Sequence, residues 1–366
     1  MQHFDIIRRT QPKKSFRVAN VIGTYDLQTS KIEERFVGDL DLPEKWNIGL
    51  IVGRSGSGKT TIARELFCDY IIDKYDYTHD NILDDMPSGV PMTDIYKTLN
   101  SCGFSSPPSW LKPYSVLSNG EKMRCDIARA CLEQRDMIVF DEFTSVVDRK
   151  VAQIGSFALQ KAIRRNGKKF IAVTCHYDVQ DWLMPDWVFN TDTMTFQSYS
   201  VEEQKKNRPS IELRIHEVSQ AQDKERMWNV FRKYHYLNYG FNKAAKVFIA
   251  YANGALCAFC AVLPFPHPTK KNTWREHRTV VLPDYQGIGI GHQLSNWVAQ
   301  RFLDAVKTFI TTTSNPSMCM ARKKDPAWIT TRIGRSINGI KTYRYKGTSS
   351  CNRITCAFEY IGRKNA

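Results

Sequence analysis

Short apolar runs, each followed by a glycine-rich or polar turn, divide the first half of the chain into regular elements. The runs at residues 48–52, 137–140 and 170–174 are almost continuously apolar, which is typical of strands buried on both faces of a parallel sheet. Segments long enough for helices separate these runs. The pattern therefore predicts an α/β fold for this half.

The second half has a different order of elements. Asn253-Gly254 lies between two apolar, β-forming segments and predicts a hairpin over residues 247–265. The other predicted elements are a strand at 211–218, a helix at 220–234, a strand at 273–282, an amphipathic helix at 292–304 and a strand at 309–314. This order predicts a mixed α+β domain.

Charge divides the chain at the same place. Residues 1–200 carry 25 Lys and Arg against 26 Asp and Glu, whereas residues 201–366 carry 27 against 11, a net charge of +16. The polar stretch 198–210 is predicted to be a linker between a domain of residues 1–197 and a domain of residues 211–366 with a basic C-terminal extension. The hydrophobic content of 42% is sufficient for two cores.

The excess positive charge predicts a nucleic-acid partner, because a domain of net charge +16 attracts polyanions. Tyr343 and Tyr345 interleave with C-terminal basic residues, where bases could stack. The phosphates of a cofactor, or an ordinary solvated face, would account for part of the same charge.

Membrane insertion and secretion are not expected. No run of about 18 uninterrupted apolar residues is present, and the nearest candidate is the predicted hairpin. The N-terminus lacks a secretory signal, and the ten cysteines show no disulfide framework. A cytoplasmic protein with no membrane partner is expected, with Cys257 and Cys260 assigned to packing.

The first apolar run leads into a phosphate-binding loop. Residues 53–60 match G-x-x-x-x-G-K-[ST], in which glycines turn backbone N–H groups inward and a helix begins with its dipole directed at phosphate. Lys59 would reach the β- and γ-phosphates of ATP, and Thr60 would ligate Mg²⁺. The candidate ATP-binding residues are Gly53, Ser55, Gly56, Gly58, Lys59, Thr60 and Thr61.

Two further motifs follow in the order that such a site requires. Ser118 and Glu121 predict a helix start with a capping box. One helix length later, an apolar run ends in Asp141, placed to bind Mg²⁺, and Glu142, placed to polarise the attacking water. The third run ends in His176. Taken alone, a capping box or a histidine at a strand end is more often structural.

In this order, the motifs resemble those of soluble ABC-type ATPases. Residues 117–121 resemble the signature sequence, with departures at Asn119 and Glu121, while residues 145–148 resemble the D-loop and His176 the switch histidine. The resemblance implies a homodimer that sandwiches ATP, with Ser118 and Gly120 of one chain contacting the γ-phosphate held by the other. It also implies Thr60 and Asp141 as Mg²⁺ ligands, and Glu142 and His176 as catalytic groups.

Two features depart from the ABC-type pattern. Residues 61–116 contain no Gln, so the Q-loop glutamine is missing, and Asp84 or Asp85 is the predicted substitute near the metal. Tyr25 is a candidate for stacking on adenine, with a half-buried strand position as the alternative.

Residues 280–291 predict a strand, a glycine-rich turn and a helix whose first amides suit a pyrophosphate. Gln286, Gly289 and Gly291 resemble the acetyl-CoA-binding motif of GNAT-family acyltransferases, Q/R-x-x-G-x-G/A. The motif follows a hairpin, as in that family, whereas a dinucleotide-binding fold would place it near the start of a βαβ unit. Acetyl-CoA is therefore the expected cofactor.

The GNAT resemblance also implies roles for individual residues. The expected acetyl-CoA contacts are the backbone amides near Val281 and Leu282, at the thioester carbonyl, then Gln286, Gly287, Gly289, Gly291 and Asn315. Glu276 and His277 are alternative general bases, since strand alternation directs only one of them to the site. The tyrosine that protonates the leaving thiolate in relatives is not evident, and Ser317 or Cys319 is the predicted replacement.

The two resemblances together predict an ATP-dependent acetyltransferase that modifies a nucleic-acid base, because a paired base must be opened before chemistry. His235-Tyr236 resembles the Mom-type DNA-modifying branch of phages, with ordinary aromatic packing as the alternative. Two other functions remain open. One is a nucleotide-regulated acetyltransferase for protein or small-molecule amines, and the other is a DNA-binding ATPase with an inactive GNAT fold.

Overall fold

The computed structural model describes residues 2–10, 13–25, 32–72, 75–206, 211–235, 240–266, 269–335 and 354–362. Its strands are β1 (Gln2–Thr10), β2 (Ile32–Leu40), β3 (Ile48–Val52), β4 (Met137–Phe140), β5 (Lys169–Thr174), β6 (Trp187–Asn190), β7 (Thr195–Ser198), β8 (Leu213–Val218), β9 (Lys246–Ala252), β10 (Ala255–Pro264), β11 (Thr273–Val281), β12 (Thr308–Thr313), β13 (Trp328–Arg335) and β14 (Ile354–Tyr360).

Its helices are α1 (Phe16–Tyr25), α2 (Lys59–Phe67), α3 (Met92–Ser101), α4 (Pro107–Trp110), α5 (Asn119–Leu132), α6 (Arg149–Asn166), α7 (Val179–Leu183), α8 (Val201–Lys206), α9 (Ala221–Phe231), α10 (Ile290–Asp304) and α11 (Pro316–Lys324). Single 3₁₀ turns lie at Cys68–Tyr70, Tyr114–Val116, Arg232–Tyr234 and Pro283–Tyr285.

The chain forms two compact units that interleave along the sequence. Unit one comprises residues 1–74, 135–145 and 163–208, and unit two comprises residues 75–134, 146–162 and 209–366. The division therefore does not fall at a single point, in contrast to the predicted boundary at the 198–210 linker.

Unit one contains a five-stranded sheet in the order β4-β5-β3-β6-β7. The first four strands are parallel, and β7 pairs antiparallel with β6. Every residue of β3 is buried, as its apolar run predicts. The predicted α/β fold is confirmed, and β3, the strand before the phosphate-binding loop, is the central strand.

Part of the predicted linker is ordered against unit one. The α8 side chain of Gln204 donates to the Pro185 carbonyl (3.0 Å) and to the Asp186 carboxylate (3.0 Å). Arg164 donates to the same carboxylate at 2.9 Å. A capping box between Ser200 and Glu203 begins this helix, and the Gln204 side chain attaches it to residues 185–186.

Unit two contains a seven-stranded sheet in the order β13-β14-β12-β11-β10-β9-β8. The predicted hairpin is confirmed as β9 and β10, with Asn253 (φ 48°) and Gly254 (φ 82°) in the left-handed conformation that a tight hairpin turn requires. One core lies under α10, around Phe248, Leu294 and Phe309. A second core lies between α9 and the sheet, around Trp228 of α9 and Phe259 of β10.

A gap opens between the two parallel strands of this sheet. The pairing of β11 with β12 covers residues 273–276 against 308–311, and β11 continues to Val281 beyond it. The two strands therefore pair only over their first four residues and are not hydrogen-bonded to each other beyond Glu276 and Thr311. No helix within the described ranges is both long and apolar enough to cross a membrane.

Candidate nucleotide and acyl-CoA sites

The phosphate-binding loop connects β3 to α2 in unit one. Gly56 (φ 83°) and Gly58 (φ 87°) take the left-handed conformation, and a Cβ on Gly58 would come within 2.4 Å of the Phe36 ring. Lys59 is buried, and its Nζ donates to the Arg54 carbonyl at 2.7 Å. The glycine at the helix start leaves the first amides of α2 without a side-chain cap, so the cradle fits a nucleotide phosphate.

The predicted metal ligands lie next to each other. The Thr60 hydroxyl donates to the Asp141 carboxylate at 3.2 Å, which places two oxygen ligands where one Mg²⁺ ion could bridge them. Thr61 follows on the first turn of α2, and Ser55 is exposed at the loop tip. The donor set is the oxygen-only type that Mg²⁺ prefers.

Glu142 follows β4 in an unusual backbone conformation. Its φ is 55°, which is uncommon for a residue with a side chain, and Thr144 nearby has φ 66°. The Ser145 hydroxyl donates to the exposed Glu142 carboxylate at 2.6 Å. His176, two residues beyond β5, is half-buried, and its amide donates to the Thr174 hydroxyl at 3.2 Å.

The signature-like segment, residues 117–121, begins α5 in unit two. The predicted capping box is confirmed: the Glu121 amide donates to the Ser118 hydroxyl, and the Ser118 amide donates to the Glu121 carboxylate at 3.0 Å. Gly120 is buried, and a Cβ there would lie 2.7 Å from Val151 and 3.4 Å from an Asp284 carboxylate oxygen.

The candidate substitutes for the Q-loop glutamine differ from each other. Asp85 is buried and accepts from the amide of Thr78 (3.0 Å) and from His79, which together hold the pKa of its carboxyl below the usual value despite burial. Asp84 is exposed and accepts from the Asn81 side chain at 2.6 Å. Tyr25 is exposed at the end of α1, not half-buried in a strand.

The glycine-rich loop, residues 282–291, connects β11 to α10. Gly289 is the N-cap of α10 with φ 97°, and the space around its Cβ position is open. A Cβ on Gly291 would lie 3.1 Å from the Val281 side chain. A glycine N-cap leaves the first amides of α10 for an anion, so this helix start fits a pyrophosphate.

Gln286 and Gly287 of the same loop contact protein. The Gln286 side chain accepts from the Ser105 amide at 2.7 Å and donates to the Val281 carbonyl at 2.9 Å. A Cβ on Gly287 would lie 2.6 Å from the Cα of Gly103. The motif thus divides into a part packed against residues 103–105 and a part, Gly289 and Gly291, at the start of α10.

Backbone amides at the end of β11 have different partners. The Leu282 amide donates to the Cys257 carbonyl of β10 at 2.9 Å. Hydrogen-bonded and non-hydrogen-bonded pairs alternate in an antiparallel ladder, so the adjacent Val281 amide is directed away from β10 and towards the gap beside β12. Val281 is the amide that fits a carbonyl placed in this gap.

Glu276 lies in a closed network under α10. Its carboxylate accepts from Arg322 (2.9 Å), Ser295 (2.5 Å) and Thr279 (2.7 Å). Burial by itself would raise the pKa of Glu276, but the Arg322 charge and these hydrogen bonds outweigh it and hold the pKa below its usual value. A carboxylate with its lone pairs engaged in this way is a weak proton acceptor.

His277 occupies a β-bulge. Ala261 pairs with Arg278 and Val262 with Glu276, so His277 is the extra residue on β11. Burial, followed by the charges of Arg278, Arg275 and His235, lowers the pKa of His277 to about 4. The imidazole is therefore neutral at pH 7, but a pKa this low makes it a weak base. It suits an acidic N–H, such as that of an aromatic amine after its nitrogen has attacked a carbonyl, and does not suit an alkylammonium.

Asn315 caps α11 at the end of β12, where its side chain accepts from the Met318 amide at 3.1 Å. Ser317 is exposed in the first turn of α11. Burial raises the pKa of the Cys319 thiol to about 12, and its Sγ approaches the Thr313 carbonyl at 3.8 Å. Cys319 thus keeps its proton at neutral pH.

A cleft lies between the end of α9 and the turn before β9. It has a volume of about 170 Å³ and is lined by Glu225, Trp228, Asn229, Arg232, Gly240, Phe241 and Lys243. The rings of Trp228 and Phe241 lie 5.9 Å apart, and Trp228 also contacts the ring of His235 and the guanidinium of Arg278. The cleft therefore adjoins the residues whose charges act on His277.

Residues 236–239, which include Tyr236 of the predicted His235-Tyr236 pair, lie outside the described residues. Tyr343, Tyr345 and the basic residues between 336 and 353 also lie outside them. Sequence reasoning missed the cleft and the buried Arg124 of α5. Arg124 lies four residues from both Gly120 and Ala128, which marks a cation on the apolar face of the helix. Its partners, 159 and 160 residues away, could not be read from that pattern.

Comparisons with known proteins match the two halves separately. Residues 212–319 match the family model described as the acetyltransferase (GNAT) family. No curated protein is significantly similar to the chain in sequence.

Similar solved structures are ATP-binding cassettes. A dimeric post-hydrolysis state of the cassette MJ0796, bound to ADP and Pi, is 17% identical, covers 43% of this chain and 87% of its own, and has a TM-score of 0.36. A dimer of the same cassette, described as bacterial, is 16% identical, with coverage of 50% and 94% and a TM-score of 0.35.

A bacterial Atm1-family ABC exporter with ATP bound is 16% identical, with 44% of this chain covered and a TM-score of 0.34. The chain spans 35% of that exporter. Residues 212–319 therefore form a domain of the acetyltransferase (GNAT) family, and it follows an α/β region in which a phosphate-binding loop connects β3 to α2.

Proposed function

We propose that the chain is an acetyl-CoA-dependent N-acyltransferase whose ATP-binding region gates transfer to a nucleic-acid base. The observation that carries the proposal is the strand–loop–helix segment formed by β11, the glycine-rich loop and α10. It combines an uncapped helix start at Gly289, a strand gap with the Val281 amide directed into it, and a neutral His277 at a bulge.

The transferase residues then have separate roles. Acetyl-CoA supplies the acetyl group as a thioester. Amides at Gly289 and Gly291 hold its pyrophosphate, and the Val281 amide polarises the thioester carbonyl. His277 accepts the proton of the acceptor amine, because it is neutral and Glu276 is enclosed by Arg322. The leaving thiolate takes its proton from solvent, because burial raises the pKa of the Cys319 thiol to about 12 and makes it a poor acid.

The ATPase residues form the second part of the proposal. Lys59 and the loop amides bind the ATP phosphates, and Thr60 and Asp141 hold Mg²⁺. Glu142 orients the attacking water, with Ser145 fixing its carboxylate. Two chains face each other head to tail, so that Ser118 and Gly120 of one chain close over the nucleotide of its partner.

A nucleic-acid base is proposed as acceptor on the chemistry of the cleft beside α9. Trp228 and Phe241 supply flat surfaces for stacking, Asn229 supplies an amide for a base edge, and Arg232 and Lys243 supply cations for phosphate. The net charge of +16 over residues 201–366 supports the same class of partner.

The test is transfer of labelled acetyl from acetyl-CoA to separate pools of DNA, RNA and protein, with and without ATP-Mg²⁺. The proposal expects label in nucleic acid that depends on ATP and disappears in Lys59→Ala and His277→Gln. Glu44→Gln, which changes an exposed carboxylate of unit one, is the control that keeps full transfer.

Each outcome identifies a different function. Label in protein alone would replace the nucleic-acid acceptor with an amine on protein. Label that is independent of ATP would remove the gating role. Measurable ATP hydrolysis without label in any pool would leave a binding ATPase in place of a transferase.

A further inference from the structure

Arg124 of α5 extends into the turn that opens the glycine-rich loop. Its guanidinium donates to the carbonyl of Pro283 at 2.9 Å and to the carbonyl of Asp284 at 3.1 Å, and lies 3.8 Å from the Asp284 carboxylate. The Arg124 side chain is 1% exposed. A charged group is seldom buried to this extent unless its position is strongly determined.

A second contact joins the glycine-rich loop to residues 103–105, which lie between α3 and α4. The Ser105 amide donates to the Gln286 side chain at 2.7 Å, and Gly103 packs against Gly287. Both glycines have positive φ, 83° and 84°, and a Cβ on either would lie within about 3 Å of the opposite backbone. The glycine-rich loop is therefore fixed at both ends of its first turn, residues 283–287.

The signature-like segment lies on the same helix, one turn before Arg124. A Cβ on Gly120 would lie 3.4 Å from an Asp284 carboxylate oxygen. Burial, with the charges of Glu121 and Asp148, raises the pKa of Asp284 against the opposing effect of Arg124. A phosphate that reaches Gly120 would bring more negative charge to this carboxylate, so it would change the free energy of the turn.

We propose that Arg124 is a positioning residue that couples the signature-like segment to the glycine-rich loop, so that ATP bound at Ser118 and Gly120 changes the affinity for acetyl-CoA. The inference rests on the function proposed above and adds the residues through which the two sites communicate. Because coupling between binding sites is reciprocal, acetyl-CoA changes the affinity for ATP by the same factor.

The experiment measures the dissociation constant of acetyl-CoA by calorimetry, with and without saturating ATP-Mg²⁺, in the full chain carrying Glu142→Gln to slow hydrolysis. We expect ATP to change this constant by about fivefold or more, the usual lower range for coupled sites. Adding Arg124→Met should reduce the change to less than twofold while each ligand still binds.

Two further variants make the result specific. Asp284→Asn removes only a charge from a side chain that is 46% exposed, so it should fold normally and also lower the coupling. Arg129→Met removes an arginine from the same helix that donates to the Asp76 carbonyl and stacks on Tyr75 and Tyr77. This matched control should keep the full effect of ATP.

The alternatives are distinguishable. Acetyl-CoA binding that ATP alters less than twofold, or alters equally in Arg124→Met and Asp284→Asn, overturns the coupling and leaves the transferase standing. Loss of coupling in Arg129→Met as well shows a general effect of helix α5 and overturns the role of Arg124. Failure of acetyl-CoA to bind in any condition overturns both proposals.

Discussion

Three carboxylate side chains, those of Glu142, Glu276 and Asp284, occupy three different environments. Glu142 is exposed on a strained backbone with φ 55°, where a side chain is free to meet a water and a phosphate. Glu276 is enclosed by Arg322 and two hydroxyls. Asp284 is partly exposed beside the guanidinium of Arg124. The proposed roles follow these environments: hydrolysis for Glu142, structure for Glu276 and coupling for Asp284.

Glu142→Gln is expected to reduce ATP hydrolysis by roughly 10²–10⁴-fold, because the amide cannot accept the proton of the attacking water. ATP-Mg²⁺ binding should remain, since Lys59, Thr60 and Asp141 are unchanged. Phosphate release and nucleotide binding measure the two effects. Loss of binding together with hydrolysis would show instead that Glu142 supports the fold of the loop.

The pH dependence of transfer tests the assignment of His277. Its pKa is lowered to about 4, so the imidazole stays neutral and able to accept a proton as pH falls from 8 to 6. Transfer should be nearly constant over that range, whereas a histidine of ordinary pKa would lose about half its activity near pH 6.5. His277→Gln should reduce transfer by roughly 10²–10⁴-fold without weakening acetyl-CoA binding.

At the scale of elements, β11 carries different chemistry on its two faces. Glu276 accepts from Thr279 of the same strand, from Ser295 of α10 and from Arg322 of α11, whereas Arg278 lies over Trp228 of α9. The bulge at His277 separates the two patterns. One set of β11 residues therefore holds α10 and α11 in place. The other set lies towards α9 and the cleft beside it, which is the proposed acceptor site.

Arg322→Ala is expected to lower the free energy of unfolding by about 3–5 kcal/mol, because it leaves the Glu276 carboxylate buried without its charge partner. Chemical denaturation followed by tryptophan fluorescence measures the change. The double variant Glu276→Leu with Arg322→Met should cost less than either single change. A loss of less than 1 kcal/mol in Arg322→Ala would contradict the enclosed network.

The elements with local signals were predictable from sequence. Asn253-Gly254 predicted the hairpin, and the glycines at 289 and 291 predicted the junction between β11 and α10. The bulge at His277 was not predictable, because a one-residue shift of register depends on the partner strand. The Arg322–Glu276 pair spans 46 residues and leaves no periodic trace.

At the scale of the whole molecule, the boundary in net charge and the boundaries of the two compact units fall at different positions in the sequence. The excess positive charge lies in residues 201–366, whereas unit two also takes in residues 75–134 and 146–162. Sequence composition located the charged part correctly. It could not show the interleaving, because the contacts that define a compact unit join residues far apart in the chain.

Nucleic-acid binding should depend strongly on salt. If six or more phosphates are contacted, raising salt from about 50 to 200 mM should weaken binding by about 10³-fold or more. Fluorescence anisotropy with single-stranded and duplex oligonucleotides measures this. Arg232→Gln with Lys243→Gln should lower the slope of log affinity against log salt by up to about two, because each lost phosphate contact lowers it by about one.

Lys13→Gln with Lys14→Gln alters two exposed lysines of unit one and provides the control with the same change of charge. It should leave the slope as in the wild type. Binding that is insensitive to salt would remove the phosphate backbone as the main contact.

The hydrogen bond between Arg124 and the Pro283 carbonyl has a consequence for biosynthesis. The two residues are 159 positions apart, so at about 5–20 residues per second the ribosome makes the arginine roughly 8–30 s before its acceptor. During that interval the Arg124 side chain lacks both of its backbone acceptors, and α5 can pack only against segments already made, such as α3. The final position of this guanidinium is therefore reached only after the second half of the chain has been synthesised.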